Sequence, residues 1–408
     1  MMSVDLRTRT DGPRRPVDAA TFFAELPSRV DENQAGMAPG LAWLTPRPLT
    51  IEVADGAWTM VVDGGRIDVR EGQLDDAAHV RLAPGQLQDL VDDQQTFMAW
   101  FSAGLLDQPA GRLEDLLDWW LVLRAAIDGT TIYTPGSIDF RDARGEPLDL
   151  GRAFHQDDDP DEMRHFLETA GFLHLSEVFS EDEMAQVSAD MDAAAPSYEP
   201  QDGRSWWART ADGADRLVRM QGFDHHSAVT AGLLDDPRYR SIGEIPGDGH
   251  VFGEKRADNR IEALVKPIGV VEGISDVPWH KDCSLGRHSY ECCGMTVGIS
   301  VTGADAASGQ LRVIAGSHRA LVWPAFVRRN ADLPAVDLPT KTGDVTVHLS
   351  CTTHMAQPPV ERERRVMYTG FSLPVRDRAA AKAGRERLRE VREAAPVTVS
   401  QQPSHTTT

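Results

Sequence analysis

The chain has little cysteine, a deficit of positive charge and no long apolar run. Its four cysteines, Cys283, Cys292, Cys293 and Cys351, show no paired metal-site spacing and read as reduced, packed thiols. Lys and Arg total 42 against 63 Asp and Glu, a net charge of −21. Nucleic-acid binding needs clustered cations and is excluded on that ground, and an anionic membrane surface would repel the chain. No stretch approaches the roughly 20 apolar residues of a membrane span. Met1 to Arg7 hold no apolar signal core, so the expected location is the cytoplasm.

What remains is the composition of a soluble globular protein, 41% hydrophobic and 26% charged. A chain of 408 residues is too long for one ordinary core, and two domains are expected. After a polar start, Phe22, Phe23 and Leu26 mark a short helix. Strand-like runs follow at Leu49–Val53, Ala57–Val62 and Arg66–Arg70, joined at the turn signals Asp55-Gly56 and Asp63-Gly64. A fourth run, Ala78–Leu82, ends at Pro84-Gly85. Pro84 suits the first turn of a helix carrying Leu87, Leu90 and Val91. A last helix presents Leu113, Leu116, Leu117, Trp120 and Leu121 at helical spacing. The order of elements, with the stretch ADGAWTMVVDGGRIDV, resembles a sterol-carrier-protein domain over residues 45–130. The resemblance implies an apolar tunnel for lipids. Trp119, Trp120 and the leucines read as core rather than as a ligand box, although a tunnel and a filled core have the same periodicity.

Gly129, Pro135, Gly136, Gly145 and Pro147 mark a linker over 131–160, and Asp157 to Asp161 are an acidic helix entry. An amphipathic helix with Met163, Phe166 and Leu167 closes at Gly171, before a strand Phe172–Leu175. Ser180 and Glu183 form a capping box for a helix with Met184, Val187 and Met191 inward. Alternating strands dominate thereafter: Ile261–Val265, Gly294–Val301, Val345–Leu349 and Val366–Phe371. Many short strands with turn signals suggest a jelly roll.

The chemistry concentrates in two segments. In Val277-Pro278-Trp279-His280-Lys281-Asp282-Cys283, residues two apart on an extended strand share a face, so His280 and Asp282 can grip one ion. Two histidines and one carboxylate leave three positions open, the ligand pattern of non-heme Fe(II) oxygenases. The second histidine comes from Gly343–His354, which offers His348 and His354. They are six residues apart on one face of an ideal strand, so periodicity leaves both open. Alone, an H-x-D triplet is more often a surface pair than a site. Arg364 and Arg365 open the next strand, and one of the two must face inward.

Four segments, FLETAGFLHLSEVFSEDEM, the stretch with His280 and Asp282, SGQLRVIAGSHR, and GDVTVHLSCTTH followed by RERRVMYTGF, resemble the phytanoyl-CoA dioxygenase family over about residues 150–375. The resemblance implies a double-stranded β-helix (jelly roll, cupin-like) holding Fe(II) through His280, Asp282 and His354. It gives Arg365 the distal carboxylate of 2-oxoglutarate and leaves Arg364 as a surface arginine. The expected reaction is O2-dependent hydroxylation of an unactivated C–H of a small molecule, releasing succinate and CO2. The carboxylate of Asp282 occupies the place a halide would need, which favours hydroxylation over halogenation. Met355 and Ala356, where the family has small polar residues, make the pocket beside His354 more apolar. Desaturation, cyclisation and epimerisation are alternative outcomes, and a non-catalytic lipid carrier is the alternative of a different class.

Lys281 must point away from the two ligands, as a solvent or substrate-edge charge. His225, His226 and His288 read as loop histidines, and His318 as part of a turn. The substrate is a small molecule, apolar or carrier-borne if the N-terminal domain bears on it. The expected organisation is an N-terminal segment at 1–44, an α+β domain at 45–130, a linker at 131–160, a mainly-β domain with flanking helices at 161–375, and a charged helix with a polar tail at 376–408.

Overall fold

A computed structural model of the chain describes residues 5–12, 14, 16–252, 259–273, 278–283, 290–324, 327–328 and 330–394. Val277, His288 and the polar tail lie outside the described residues. In the N-terminal half, α1 (Ala19–Glu32) and α2 (Gln34–Leu44) precede the meander β1 (Leu49–Val53), β2 (Gly56–Asp63) and β3 (Arg66–Glu71). Then come β4 (Ala78–Arg81), α3 (Gln86–Val91), α4 (Phe97–Ser102), β5 (Asp107–Ala110) and α5 (Leu113–Asp128). The sheet order is β3-β2-β1-β4-β5, with β4 parallel to β1. Gly64 and Gly65, at φ of 57° and 78°, close the β2–β3 hairpin in the left-handed region that a tight two-residue turn requires.

One expectation changes here. Residues 19–44 are not a separate segment. Phe23, Leu26, Met37 and Leu41 of α1 and α2 are buried in the same core as Leu49, Ile51 and Met60 of the sheet, because the apolar face of the meander must be covered. Trp119 and Trp120 are buried in that core with Leu116, Leu117 and Leu121, as their reading as core residues has it.

The C-terminal half begins with α6 (Pro160–Ala170), β6 (Phe172–Leu175) and α7 (Glu181–Ala194), the last started by the expected Ser180–Glu183 capping box. Next are β7 (Ser205–Thr210), β8 (Asp215–Gln221), α8 (Ala228–Asp235), α9 (Pro237–Glu244), β9 (Val251–Phe252), β10 (Glu262–Lys266) and β11 (Val270–Glu272). The remaining elements are β12 (Gly294–Ser300), β13 (Leu311–Ile314), β14 (Ala335–Leu338), β15 (Val345–Leu349), β16 (His354–Ala356), β17 (Arg364–Ser372) and α10 (Arg378–Ala394). One sheet runs β11-β7-β8-β10-β17-β12-β15-β6, and a second runs β14-β13-β16, with His280 bridged to its edge at His354. The run β10-β17-β12-β15 and the sheet β14-β13-β16 bury residues in one shared core, an antiparallel two-sheet arrangement that is jelly-roll-like.

In β17 the two faces are covered by different partners. Met367, Thr369 and Phe371 meet Thr230 of α8 and Tyr239 of α9, so the odd-numbered residues face the helices. Arg364, Val366, Tyr368 and Gly370 therefore face into the barrel. The two halves share a boundary: Tyr290 and Leu321 join the N-terminal core, Trp323 donates to Asp118 of α5 at 2.8 Å, and Arg387 of α10 pairs with Asp89.

Candidate metal centre

His280 and His354 are opposite one another in a single antiparallel bridge, each N–H donating to the other's carbonyl at 2.9 Å. The two imidazoles leave this bridge on one side, with ring centroids 4.3 Å apart. The regular strand expected through Asp282 is not formed. After the bridge the chain turns, and the Cys283 N–H reaches the Ser350 carbonyl at 3.4 Å. That turn swings Asp282 back over the imidazoles. Its Oδ1 lies 3.5 Å from His280 Nε2 and 3.6 Å from His354 Nε2. Among the described residues, His280, Asp282 and His354 form a group of side chains whose ligand atoms all lie within 4.8 Å of one another.

The tautomers suit metal binding. His280 Nδ1 is 2.7 Å from the Pro278 carbonyl and His354 Nδ1 is 2.9 Å from the Thr352 carbonyl. A carbonyl only accepts, so each Nδ1 carries the proton and each Nε2 offers a lone pair toward Asp282. Charge agrees with this. Burial would raise the Asp282 carboxyl, yet the surrounding histidines, His354 foremost, hold it well below the ordinary carboxylate range. Burial, followed by His348 and His280, pushes His354 well below the usual imidazole range. An ionised carboxylate between neutral imidazoles is the protonation state a divalent cation requires. The carboxylate is 36% exposed, so the cluster opens to solvent on its Asp282 side.

His348, the other histidine periodicity allowed, sits on β15 directly across from Thr296. Its Nε2 approaches the other carboxylate oxygen, 3.4 Å from Asp282 Oδ2, and Thr296 Oγ1 donates to that same oxygen at 2.8 Å.

Lys281 corrects an expectation. It does point away from the ligands, but into the interior: it is 0% exposed and donates to the Ser317 carbonyl at 2.9 Å. Burial lowers its pKa, opposed chiefly by Cys351 and Cys283. The Ser317 hydroxyl accepts from the Thr353 N–H at 2.7 Å, so Lys281 and Thr353, each beside a histidine of the cluster, are tied from behind. Cys283 and Cys292 adjoin the same region and, like Cys351, are free thiols with raised pKa values.

The arginine assignment is also corrected. Arg365 lies on the helix-facing side of β17. Its guanidinium binds the Ser188 carbonyl at 3.0 Å and Asp192 at 2.8 Å, both on α7, and Glu363 at 3.1 Å. Arg364 is the inward residue, 3% exposed. One of its nitrogens donates to the Gly309 carbonyl, while Nε and Nη2 are buried without a partner. Across the sheet it is opposite Lys266, also buried. His225 and His226 lie near the 3-10 turn before α8, and His318 is a buried turn residue whose Nε2 contacts the Glu168 carbonyl at 2.9 Å. A separate cleft of about 730 Å³, whose lining includes His155, His174, Lys341, Asp344 and Arg362, shares no residue with the cluster.

Residues 167–366 match the family model for phytanoyl-CoA dioxygenase (PhyH). Over that segment, just under half of the chain, the sequence is similar to this family. The similarity is to iron- and 2-oxoglutarate-dependent oxygenases. The solved structures similar to this chain include the 2-oxoglutarate-dependent epimerase SnoN from nogalamycin biosynthesis, at 17% identity and a TM-score of 0.41, over 54% of this chain and 86% of that one. EctD from S. alaskensis is 18% identical with a TM-score of 0.43, over 55% and 81% of the two chains. AviO1 from Streptomyces viridochromogenes Tue57 is 19% identical with a TM-score of 0.40, over 53% and 96%. No curated protein matches the chain. Among the described residues, no helix is long and apolar enough to cross a membrane.

Proposed function

We propose that His280, Asp282 and His354 hold the ferrous ion, that Arg364 holds the distal carboxylate of 2-oxoglutarate, and that the reaction is hydroxylation of a small-molecule C–H. The observation that carries the reading is the shared arrangement of the two histidines, each with Nδ1 fixed by a carbonyl and Nε2 turned to Asp282 Oδ1. Structural histidines have no reason to share that orientation around one carboxylate. Arg364 supports the co-substrate assignment: a buried guanidinium with two empty donors is what a carboxylate satisfies in a bidentate pair.

When bound, iron with 2-oxoglutarate and O2 supplies the oxidising equivalent, and succinate and CO2 are released. The chain's own residues do the rest. The His280–His354 bridge sets the two imidazoles at a fixed spacing. The carbonyls of Pro278 and Thr352 keep their protons on Nδ1. Asp282 supplies a negative charge that offsets the cation. Arg364 neutralises the distal end of a dianion inside the barrel, with Lys266 opposite it as a second cation. Asp282 also fills the place a halide would take, which favours hydroxyl as the group returned to substrate.

The N-terminal half is proposed to be a sterol-carrier-like α+β domain over 19–130, and its shared core with Tyr290 and Leu321 makes it part of the enzyme's scaffold. The substrate is proposed to be apolar or carrier-borne, and the enzyme cytoplasmic. The test is anaerobic loading with Fe(II), then measurement of succinate formation across candidate small molecules. Asp282→Ala and His280→Ala are expected to lose bound iron and turnover together. Succinate at the wild-type rate from either variant removes the assignment.

A further inference from the structure

Asp282 has different neighbours at its two oxygens. Oδ1 faces His280 Nε2 at 3.5 Å and His354 Nε2 at 3.6 Å. Oδ2 accepts the Thr296 hydroxyl at 2.8 Å and has His348 Nε2 at 3.4 Å. Thr296 and His348 are neighbours on adjacent strands, paired at their Cα atoms, so one rung of the large sheet presents both groups to one oxygen. His348 differs from the other two imidazoles in a telling way. It is 1% exposed, yet neither ring nitrogen has a hydrogen-bond partner. A buried imidazole left unsatisfied is costly, so a chain that keeps one needs a group for it to meet. The group at hand is Asp282 Oδ2.

We propose that Thr296 and His348 are a positioning pair that holds Asp282 to one-oxygen coordination, with Oδ1 to the metal and Oδ2 occupied by two donors. This rests on the metal assignment above and goes beyond it. A carboxylate free at its second oxygen can rotate and chelate the ion through both, which removes a position that 2-oxoglutarate or O2 needs. With the threonine hydroxyl donating to Oδ2 and His348 Nε2 standing 3.4 Å from it, that rotation breaks one charge-assisted hydrogen bond and takes from His348 the acceptor it faces. The 3.4 Å separation closes to hydrogen-bond length with a small rotation of either side chain. His348 is not a fourth ligand. It falls outside the set whose ligand atoms lie within 4.8 Å of one another, and it approaches the oxygen turned away from His280 and His354.

The experiment compares full-length wild type with His348→Leu, His348→Gln, Thr296→Val and Thr296→Ser. The readouts are Fe(II) affinity by chelator competition and the anaerobic charge-transfer absorption of iron with 2-oxoglutarate. Outer-shell partners of this kind typically change metal affinity by about 10- to 100-fold. His348→Leu and Thr296→Val are expected to weaken Fe(II) binding within that range and to shift or weaken the absorption band. His348→Gln and Thr296→Ser keep a donor near the same place and are expected to restore most of both. Thr296→Val is nearly isosteric, so it reports even if His348→Leu fails to fold. Two results overturn the pair: both donor-less variants matching wild type, or the donor-keeping variants losing as much as the donor-less ones. If wild type itself holds no iron and shows no band, the metal assignment falls and the pair falls with it.

Discussion

At the residue scale, the adjacent arginines show what the sequence could and could not tell. Strand alternation requires one of Arg364 and Arg365 to face inward, and it does. Which one depends on which face of β17 lines the barrel, and β17 is buried on both sides, by helices on one and by the barrel interior on the other. Val366, Met367, Thr369 and Phe371 are all buried, so no polar–apolar alternation marks the faces. The same limit applies to His348 and His354, which the even spacing could not separate; the turn after His280 separates them by bringing Oδ1 to one and Oδ2 to the other. The arginine correction has a direct consequence. Arg364→Met is expected to raise the 2-oxoglutarate KM by about 30-fold or more, the cost of removing one partner from a buried charge pair. Arg365→Met, which only loosens β17 from α7, is expected to leave that KM within about threefold. Titrating 2-oxoglutarate in the succinate assay checks both, and a larger effect from Arg365→Met restores the original assignment.

At the element scale, most of the secondary structure was legible because its signals are local. The Ser180 capping box, the Gly171 helix end and the two-glycine hairpin at Gly64-Gly65 all stand where turn and cap chemistry put them. The packing of α5 against the other half was not legible, since it depends on Trp323 and Arg328, some 200 residues further along. Asp118 on α5 accepts from Trp323 at 2.8 Å and lies 3.7 Å from Arg328. Burial raises its pKa from 3.8 to about 6, against the opposing pull of Arg328 and Trp323. A carboxyl with a raised folded-state pKa favours the folded state below pH 3.8, and that contribution is lost as pH rises through 6. The shift corresponds to about 3 kcal/mol. Asp118→Asn keeps an acceptor for Trp323 and removes the titration. Its stability relative to wild type is therefore expected to rise between about pH 4 and pH 6 and then level off. Urea unfolding at a series of pH values measures this, and a difference independent of pH refutes it.

Within the large sheet, close approach fixes the register on the metal side. Gly298 has Tyr368 on one flank and Thr346 on the other. A Cβ there would stand 2.9 Å from both the Tyr368 ring and the Thr346 hydroxyl. Gly298→Ala forces β12 away from β15 or β17, and β12 carries Thr296 at the next inward position. Overpacking of this kind costs about 1–3 kcal/mol. The variant is expected to lose that much stability and to bind Fe(II) more weakly than an equally destabilised substitution in the N-terminal core. Equal affinity in the two would show that β12 relaxes without moving Thr296.

At the scale of the whole molecule, the two halves are joined by chemistry that is costly to separate. Arg9, held by Asp93 at 2.6 Å within the N-terminal half, crosses the boundary to donate to the Tyr290 carbonyl at 2.8 Å and to lie over the Tyr290 ring at 4.6 Å. Tyr290 also donates to Asp128 at the end of α5. Breaking a buried pair by removing one partner leaves an uncompensated charge and costs about 3–5 kcal/mol. Tyr290 sits close in sequence to both Asp282 and β12, so the interface adjoins the segments that position the metal cluster. Ion binding and N-terminal order should therefore be linked. Ligand at 100 times its Kd stabilises the native state by about 2.7 kcal/mol, and coupled halves share that gain. Hydrogen exchange at the amides of α5 is expected to slow when Fe(II) is added anaerobically, although α5 contributes no residue to the cluster. Tyr290→Leu, which removes the ring beneath Arg9 and the bond to Asp128, is expected to abolish that slowing while leaving Fe(II) bound. Slowing confined to β12, β15 and β16 would mean that the halves fold independently and that the N-terminal half has a separate role.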